Sequence, residues 1–272
     1  MTSSGLQPRQ DGDAALRLLR DGALDLEGRL VDASNTTLRG NLTLDGVTAR
    51  CVYKPVRGER PLWDFPDGTL ADREVAAHLV SRATGWDLVP PTVLRDGPLG
   101  PGSCQLWIDE PADAEPLVGF VPADALPPRW FPIAAARDDD GTPYALAHAD
   151  DPRLARLVVL DAVINNADRK GGHVLVGPDD RIYGVDHGVS FHVEEKLRTV
   201  LWGWAGRQLP ADAVEMLDAL AGQVTGALGA ELADHLTITE IAELAARIDR
   251  LRGTGRFPQP PQDWPAVPWP PM

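Results

Sequence analysis

The sequence predicts an α+β fold in which a run of strands comes first and a run of helices last. Three observations carry this expectation. Three strand-like segments follow one another between residues 24 and 56, the last two joined by Asp45-Gly46, a strong hairpin signal. Apolar residues recur at helical spacing over 152–164 and again across 211–253. Between those helices lies a short apolar strand pair, Val174–Val176 and Arg181–Val185, joined by Gly177-Pro178-Asp179-Asp180. At 272 residues with a 43% apolar share, the chain can bury a core as one two-lobed domain or two small ones.

Taken in order, residues 1–12 read as a polar leader without an apolar signal core. A short helix over Ala14–Arg20 is stopped by Gly22. The strands Leu24–Asp32, Thr37–Leu44 and Val47–Val56 follow. The third carries Lys54, and a lysine in an apolar strand must snorkel to water or find an acid. The next helix, Ala71–Thr84, shows Val75, Ala76, Leu79, Val80 and Ala83 on one face, with Glu74 at its edge. Glu74 either reaches inward to Lys54 or caps a helix start. Thr92–Leu94 and Ser103–Ile108 read as two more strands. Residues 110–150, rich in Pro, Ala and Asp, read as a long irregular insertion, a solvated loop residue by residue.

Asp151-Pro152 opens a helix to Ile164, with proline at a permitted early position. Asp161 falls on its apolar side and is expected to hydrogen-bond the loop that follows. Helices over 211–253, with Asp212 as an N-cap, come after Trp202-Gly203-Trp204, a packing corner or substrate lip. From Phe257 the tail is dominated by Pro and Trp and is expected to be extended, docked through Trp264 and Trp269 or projecting as an arm. The units are therefore 1–21, a leader and short helix; 22–109, a strand-rich lobe; 110–150, an insertion; 151–253, a helical lobe; and 254–272, the tail.

The net charge of −14 lacks the basic footprint that nucleic acid or durable anionic-lipid docking requires. No apolar run is long enough to span a membrane, and Cys51 and Cys104 read as buried thiols of a reducing compartment. The expectation is a cytoplasmic protein without nucleic acid or stable membrane association.

The chemistry concentrates between 160 and 188. Asp168-Arg169-Lys170 precede the flexible Gly171-Gly172, His173 opens the first strand of the hairpin, and Asp186-His187-Gly188 leave the second. Two acids thus stand at the mouths of one hairpin, which suits one acid as a base and the other as a metal ligand. A metal-dependent hydrolase built from these acids with His173, His187 and His192 would use the same residues but leave Lys54 and Glu74 without a role.

This pattern resembles the catalytic core of the atypical kinases related to phosphatidylinositol 3- and 4-kinases, whose relatives include the HipA-type protein kinases. Those carry Asp-Arg, three residues and Asn, then a strand pair and an Asp-Phe-Gly-like triplet. His173 stands at the usual Asn and His187 at the usual Phe. The resemblance implies a two-lobed protein-kinase-like fold, a small antiparallel-sheet lobe plus a mainly helical large one. It implies an ATP-dependent phosphotransferase using Mg²⁺ or Mn²⁺ and acting on a hydroxyl of a soluble protein or small molecule. Asp168 would orient or deprotonate the acceptor, Arg169 or Lys170 would steady the transferred group, and Asp186, with His173, would hold the metal. Lys54, fixed by Glu74, would neutralise phosphate charge. The 33–36 connection, with Ser34 and Asn35, would cover the phosphates or be an ordinary hairpin turn. Gln105 and Trp107 would lie beside adenine. With His173 in the metal position, a pseudokinase that binds nucleotide or a partner without turnover is the alternative.

Overall fold

A five-stranded antiparallel sheet and a helical body face each other across a cleft, and a three-stranded and a two-stranded sheet complete the fold. The computed structural model describes residues 12–30, 35–60, 62, 64–65 and 67–272. Helix α1 (Gly12–Asp21) precedes β1 (Ala23–Arg29), β2 (Leu38–Leu44) and β3 (Val47–Pro55). Helix α2 (Leu70–Ala83) follows, then β4 (Thr92–Gly97) and β5 (Gly100–Leu106). The sheet order is β1-β2-β3-β5-β4, with every pair antiparallel. Strand alternation splits β3 between two faces. Cys51 and Tyr53 are buried, and Cys51 packs with Cys104, Leu42 and the apolar face of α1. Val52 and Lys54 point the other way, toward the cleft. Both cysteines are free thiols.

Helix α2 starts where its exposed N–H groups find acceptors. Thr69 Oγ1 accepts from the Asp72 backbone at 3.0 Å, and the Glu59 carboxylate takes the N–H groups of Leu70 and Ala71 at 3.0 and 2.8 Å. It ends at Gly85, whose φ of +71° places it in the left-handed region that glycine adopts without strain. Polar ties that hold α2 to the helical lobe include a buried Arg73–Glu240 ion pair, a 2.7 Å bond from Arg73 to the Ser190 carbonyl and a 3.0 Å contact between Asp72 and His235.

The segment 110–150 is not the irregular loop its composition suggested. It forms β6 (Val118–Pro122), β7 (Trp130–Arg137) and β8 (Pro143–Ala149), a three-stranded antiparallel sheet ordered β6-β8-β7. Small and Pro-rich strands hid the alternation, yet Val118, Leu146 and His148 are all buried. His148 bridges to the helical lobe, its Nε2 accepting the N–H of Gly203 at 3.0 Å. Trp202 and Trp204 are buried there too, which settles that segment as a packing corner.

Helix α3 (Pro152–Ile164) is the axis of the helical lobe. Asp151 caps it, accepting the N–H of Arg153 at 2.7 Å. Leu154, Leu157, Leu160, Val163 and Ile164 are fully buried, so truncating one of the leucines or Ile164 to alanine costs about 2–5 kcal/mol. The strand pair β9 (Val174–Val176) and β10 (Ile182–Gly184) follows. Then come α4 (Ala211–Val224), α5 (Ala227–Leu232) and α6 (Ile238–Thr254). Pro210, not Asp212, is the N-cap of α4; Asp212 lies in the first turn and pairs with Arg156 at 2.8 Å. Among the described residues no helix is long and apolar enough to cross a membrane.

The tail folds back on the body. Ala266 accepts the N–H of Thr199 and the indole of Trp202, and Pro271 accepts the N–H of Gly171 at 2.8 Å. Trp264 docks, whereas Trp269 is 85% exposed.

Candidate active site

The site begins with how α3 ends. Asn165 takes the left-handed conformation at φ +54° and accepts the N–H of Lys196 at 2.9 Å. Asn166 donates to Asp161 at 2.9 Å and accepts the N–H of Asp168 at 3.0 Å, which fixes the loop's start. The loop then pairs with the chain after the hairpin through an isolated parallel bridge, Arg169 to Thr199.

Arg169 has a different job from the expected one. Its side chain is fully buried, and it donates to both oxygens of Asp161 at 2.9 Å, to the carbonyls of His173 and Val185, and to His187 Nε2 at 2.7 Å. A guanidinium has five N–H donors, and all five are used. None is left for a phosphoryl group, so the expectation that Arg169 steadies one is withdrawn. Asp161 does hydrogen-bond the loop, as its place on the apolar side of α3 suggested.

Asp186 follows β10 with φ +62°, a conformation costly for a non-glycine residue and concentrated at functional sites. That turn aims its carboxylate at Lys54, 2.8 Å away, and at His173 Nε2, 3.4 Å away. The ammonium of Lys54 holds Asp186 well below the usual carboxylate range. Burial opposes the charge on Lys54, but Asp186 and Glu74 together raise its pKa above the ordinary lysine value. Glu74, 3% exposed, completes the ion pair with Lys54 that the sequence suggested.

Asp168 faces the same space. Burial raises its pKa, opposed by Lys170, whose ammonium lies 3.4 Å away. His173 is pushed down to about 4 by burial, so it is neutral near pH 7, and its Nδ1 is buried without a partner among the described residues. His187 is sealed in, and His192 accepts the Glu194 N–H at 2.9 Å and packs on Phe65. Among the described residues no three His, Cys, Asp or Glu side chains converge to hold a metal.

Two cavities meet at Lys54 and Asp186. One, of about 710 Å³, is lined by Val52, Gln105, Trp107, Ile108, Leu175 and His173. There Gln105 donates to Thr92 Oγ1 at 2.8 Å, and Trp107 donates to Asp109 at 3.1 Å beneath the Arg50 guanidinium. The other, of about 430 Å³, is lined by Asn35, Asp168, Arg198 and Trp264 among others. Asn35 accepts the N–H of Arg60 at 2.9 Å. Ser34 lies outside the described residues. The tail's part in this second cavity, through Trp264, was missed as a site contribution; a lone tryptophan among prolines carries no positional signal.

The comparisons agree with this fold. The chain resembles a solved structure of hydra Fam20 with sugar, at 14% identity and TM-score 0.58 over 93% of this chain and 91% of that one. It also resembles the Golgi casein kinase with Mn/ADP bound, at 15% identity and TM-score 0.54 over 93% of this chain and 77% of that one. These likenesses show a kinase-like fold of α+β composition. No protein-family model matches the chain. Protein Rv2133c of Mycobacterium tuberculosis is 48% identical over 261 residues, 93% of this chain and 94% of that protein. At that identity over nearly the whole of both sequences, the chain belongs to the family of Rv2133c.

Proposed function

We propose that this protein is an ATP- and metal-dependent phosphotransferase that acts on a hydroxyl group of a small molecule or soluble protein. The observation that carries the reading is the triad Glu74–Lys54–Asp186 at the junction of two cavities, with Asp168 on the wall of one of them. Phosphoryl transfer needs little covalent help from the protein; it needs positioned charge and an oriented nucleophile. Lys54 neutralises phosphate oxygens between the cavities. Asp168 takes the acceptor's proton as the hydroxyl oxygen bonds to the γ-phosphorus and the bond to the bridging oxygen breaks, releasing ADP. Its raised pKa makes it a better base than an exposed aspartate. Lys170, beside Asp168, is placed to steady the transferred group.

The donors fit a divalent cation only if the nucleotide completes its shell. Asp186 is an ionised oxygen donor and His173 a neutral nitrogen donor, and phosphate oxygens would have to supply the rest. The cation's chemistry there is to neutralise charge between the phosphates. Gln105 and Trp107 line the side suited to the adenine, and Asn35 the phosphate side. The kinship to phosphatidylinositol kinases and HipA-type kinases rests on the Asp168–His173 and Asp186–Gly188 motifs. A cytoplasmic location is part of the same reading, and the two buried free thiols, Cys51 and Cys104, suit a reducing compartment.

His173 in place of an oxygen ligand favours one second reading, a nucleotide-binding protein without turnover. Calorimetric titration of ATP with Mn²⁺ into wild type, Asp168→Asn and Asp186→Asn tests the assignment. Binding is expected to survive in Asp168→Asn and to weaken at least tenfold in Asp186→Asn. Equal loss in both variants overturns the division of roles, and no binding by wild type overturns the nucleotide reading.

A further inference from the structure

The cavity beside Asp168 holds an arginine whose charge acts on Asp168 through space but whose hydrogen-bond donors are unspent. Most of its charged side chains are already committed. Glu59 accepts two backbone N–H groups of α2, Asp64 pairs with Lys196 at 2.8 Å, and Glu74 and Asp186 share Lys54. Arg198 is different. Its side chain forms no ion pair or hydrogen bond among the described residues, and its Nε is a buried donor without an acceptor. The indole Nε1 of Trp264, lining the same cavity, is likewise a buried donor without an acceptor. Arg60, exposed on the same lining, forms no ion pair among the described residues either.

Nothing accidental holds Arg198 there. Its backbone N–H donates to Asn166 at 3.0 Å and its carbonyl accepts from Arg169 at 3.0 Å, so it is hydrogen-bonded to both ends of the segment that carries Asp168. The next residue, Thr199, is bonded in turn to Ala266 of the tail. An arginine cannot shed its charge, and leaving its donors unpaired in a partly enclosed space is costly. A fork of N–H donors matches a carboxylate or phosphate in two-point contact. The cavity volume, about 430 Å³, is that of a small-molecule site.

We infer that the acceptor is a small alcohol carrying a phosphate or carboxylate, and that Arg198 recognises this anionic group while Asp168 meets the hydroxyl. This rests on the phosphotransferase reading for the reaction, though the anion site itself does not need it. Trp264 forms part of the cavity lining from the tail, so the last residues of the chain belong to the site. The negative net charge of −14 makes the contrast useful: an anion drawn here is drawn by this cavity and not by the protein's overall field.

The test uses three probes of one size: glycerol 3-phosphate, glycerate and glycerol. Each is titrated into the full-length protein while the Trp264 indole N–H signal is followed by NMR, the signal being assigned by its loss in Trp264→Phe. Glycerol 3-phosphate or glycerate is expected to shift the signal and glycerol to leave it unmoved; which anion binds more tightly names the group. Arg198→Gln should weaken the binding at least tenfold and Arg198→Lys less, with the other indole signals unchanged as the check on folding. Three results overturn the inference: no shift with either anion, equal affinity in Arg198→Gln, or displacement of the probe by ADP alone. A parallel titration of ADP with Mn²⁺ separates the two claims, because anion binding without nucleotide binding would keep the anion site and refute the transferase.

Discussion

The backbone N–H of His187 donates to Glu74 at 3.0 Å while the other oxygen of that carboxylate pairs with Lys54. One side chain of α2 therefore ties β3 to the Asp186–Gly188 triplet, and Asp186 returns to Lys54 from the far side. The arrangement is closed on itself: strand, helix and the loop that carries Asp186 are each held by the other two. The Arg73–Glu240 pair next along α2 keeps that helix against the large lobe, so Glu74 is held from behind as well.

Lys54→Met is expected to break this circuit. Glu74 would keep its bond to His187 but lose its counter-charge while buried, costing about 1–3 kcal/mol of stability. The protein should remain folded, with ATP affinity reduced at least tenfold. Calorimetry on the folded variant checks this, and an unchanged affinity would contradict it.

Asp161→Asn should be among the most destabilising single changes in the chain. It would leave the Arg169 guanidinium buried without its carboxylate, a loss of about 3–5 kcal/mol for a broken buried pair. Urea unfolding of wild type and variant measures it. A difference below about 1 kcal/mol, the scale of an exposed pair, would show that the pair is not buried in solution.

His173→Asn tests the nitrogen donor. Imidazole suits later transition metals, whereas an amide oxygen suits Mg²⁺. Wild type is expected to prefer Mn²⁺ in ATP turnover, and the variant to shift toward Mg²⁺. Superimposable metal titrations of the two proteins would remove His173 from the metal site.

Stability should fall in mild acid, in part for reasons outside the cleft. Burial pushes His78 and His148 down to about 4, whereas an unfolded histidine titrates near 6.5. Between those values the unfolded chain binds protons that the folded one does not, so stability rises with pH there. The contribution is complete above about pH 6.5 and is lost as pH falls toward 4. Among the described residues His78 Nε2 is a buried atom without a partner and Nδ1 has only a 3.4 Å contact to the Val89 carbonyl, so His78→Met should flatten this dependence with little loss of stability at pH 7. Denaturant midpoints at pH 7 and pH 5 decide it; equal slopes in wild type and variant would contradict the assignment.

What the sequence made legible followed from strong local signals. Asp45-Gly46 fixed the β2–β3 hairpin, and Asp151-Pro152 with apolar spacing fixed α3 from Pro152 to Ile164. Lys54 and Glu74 were legible because a charge in an apolar strand demands a partner, and the structure supplies it. Arg169 was misread because the motif gives residue types but not burial; only the three-dimensional position of Asp161 reveals that its donors are spent. The sheet of β6, β7 and β8 was hidden because half of its strand residues are Ala, Pro or Gly, which carry little strand preference alone. Docking of the tail through Trp264 was one of its two expected outcomes, but its contacts through the backbone carbonyls of Ala266 and Pro271 were not legible, because a carbonyl has no sequence signature.

The central claim is that a γ-phosphoryl group leaves ATP for a hydroxyl under the control of Asp168. Incubating the protein with γ-labelled ATP and Mn²⁺, with a cell-extract metabolite pool present, and reading protein and metabolites by mass spectrometry tests it most directly. The account predicts label on a hydroxyl-bearing acceptor with wild type and at least a hundredfold less with Asp168→Asn, although that variant still binds nucleotide. Equal labelling by wild type and Asp168→Asn, or no labelled acceptor from a wild type that binds ATP, would contradict it.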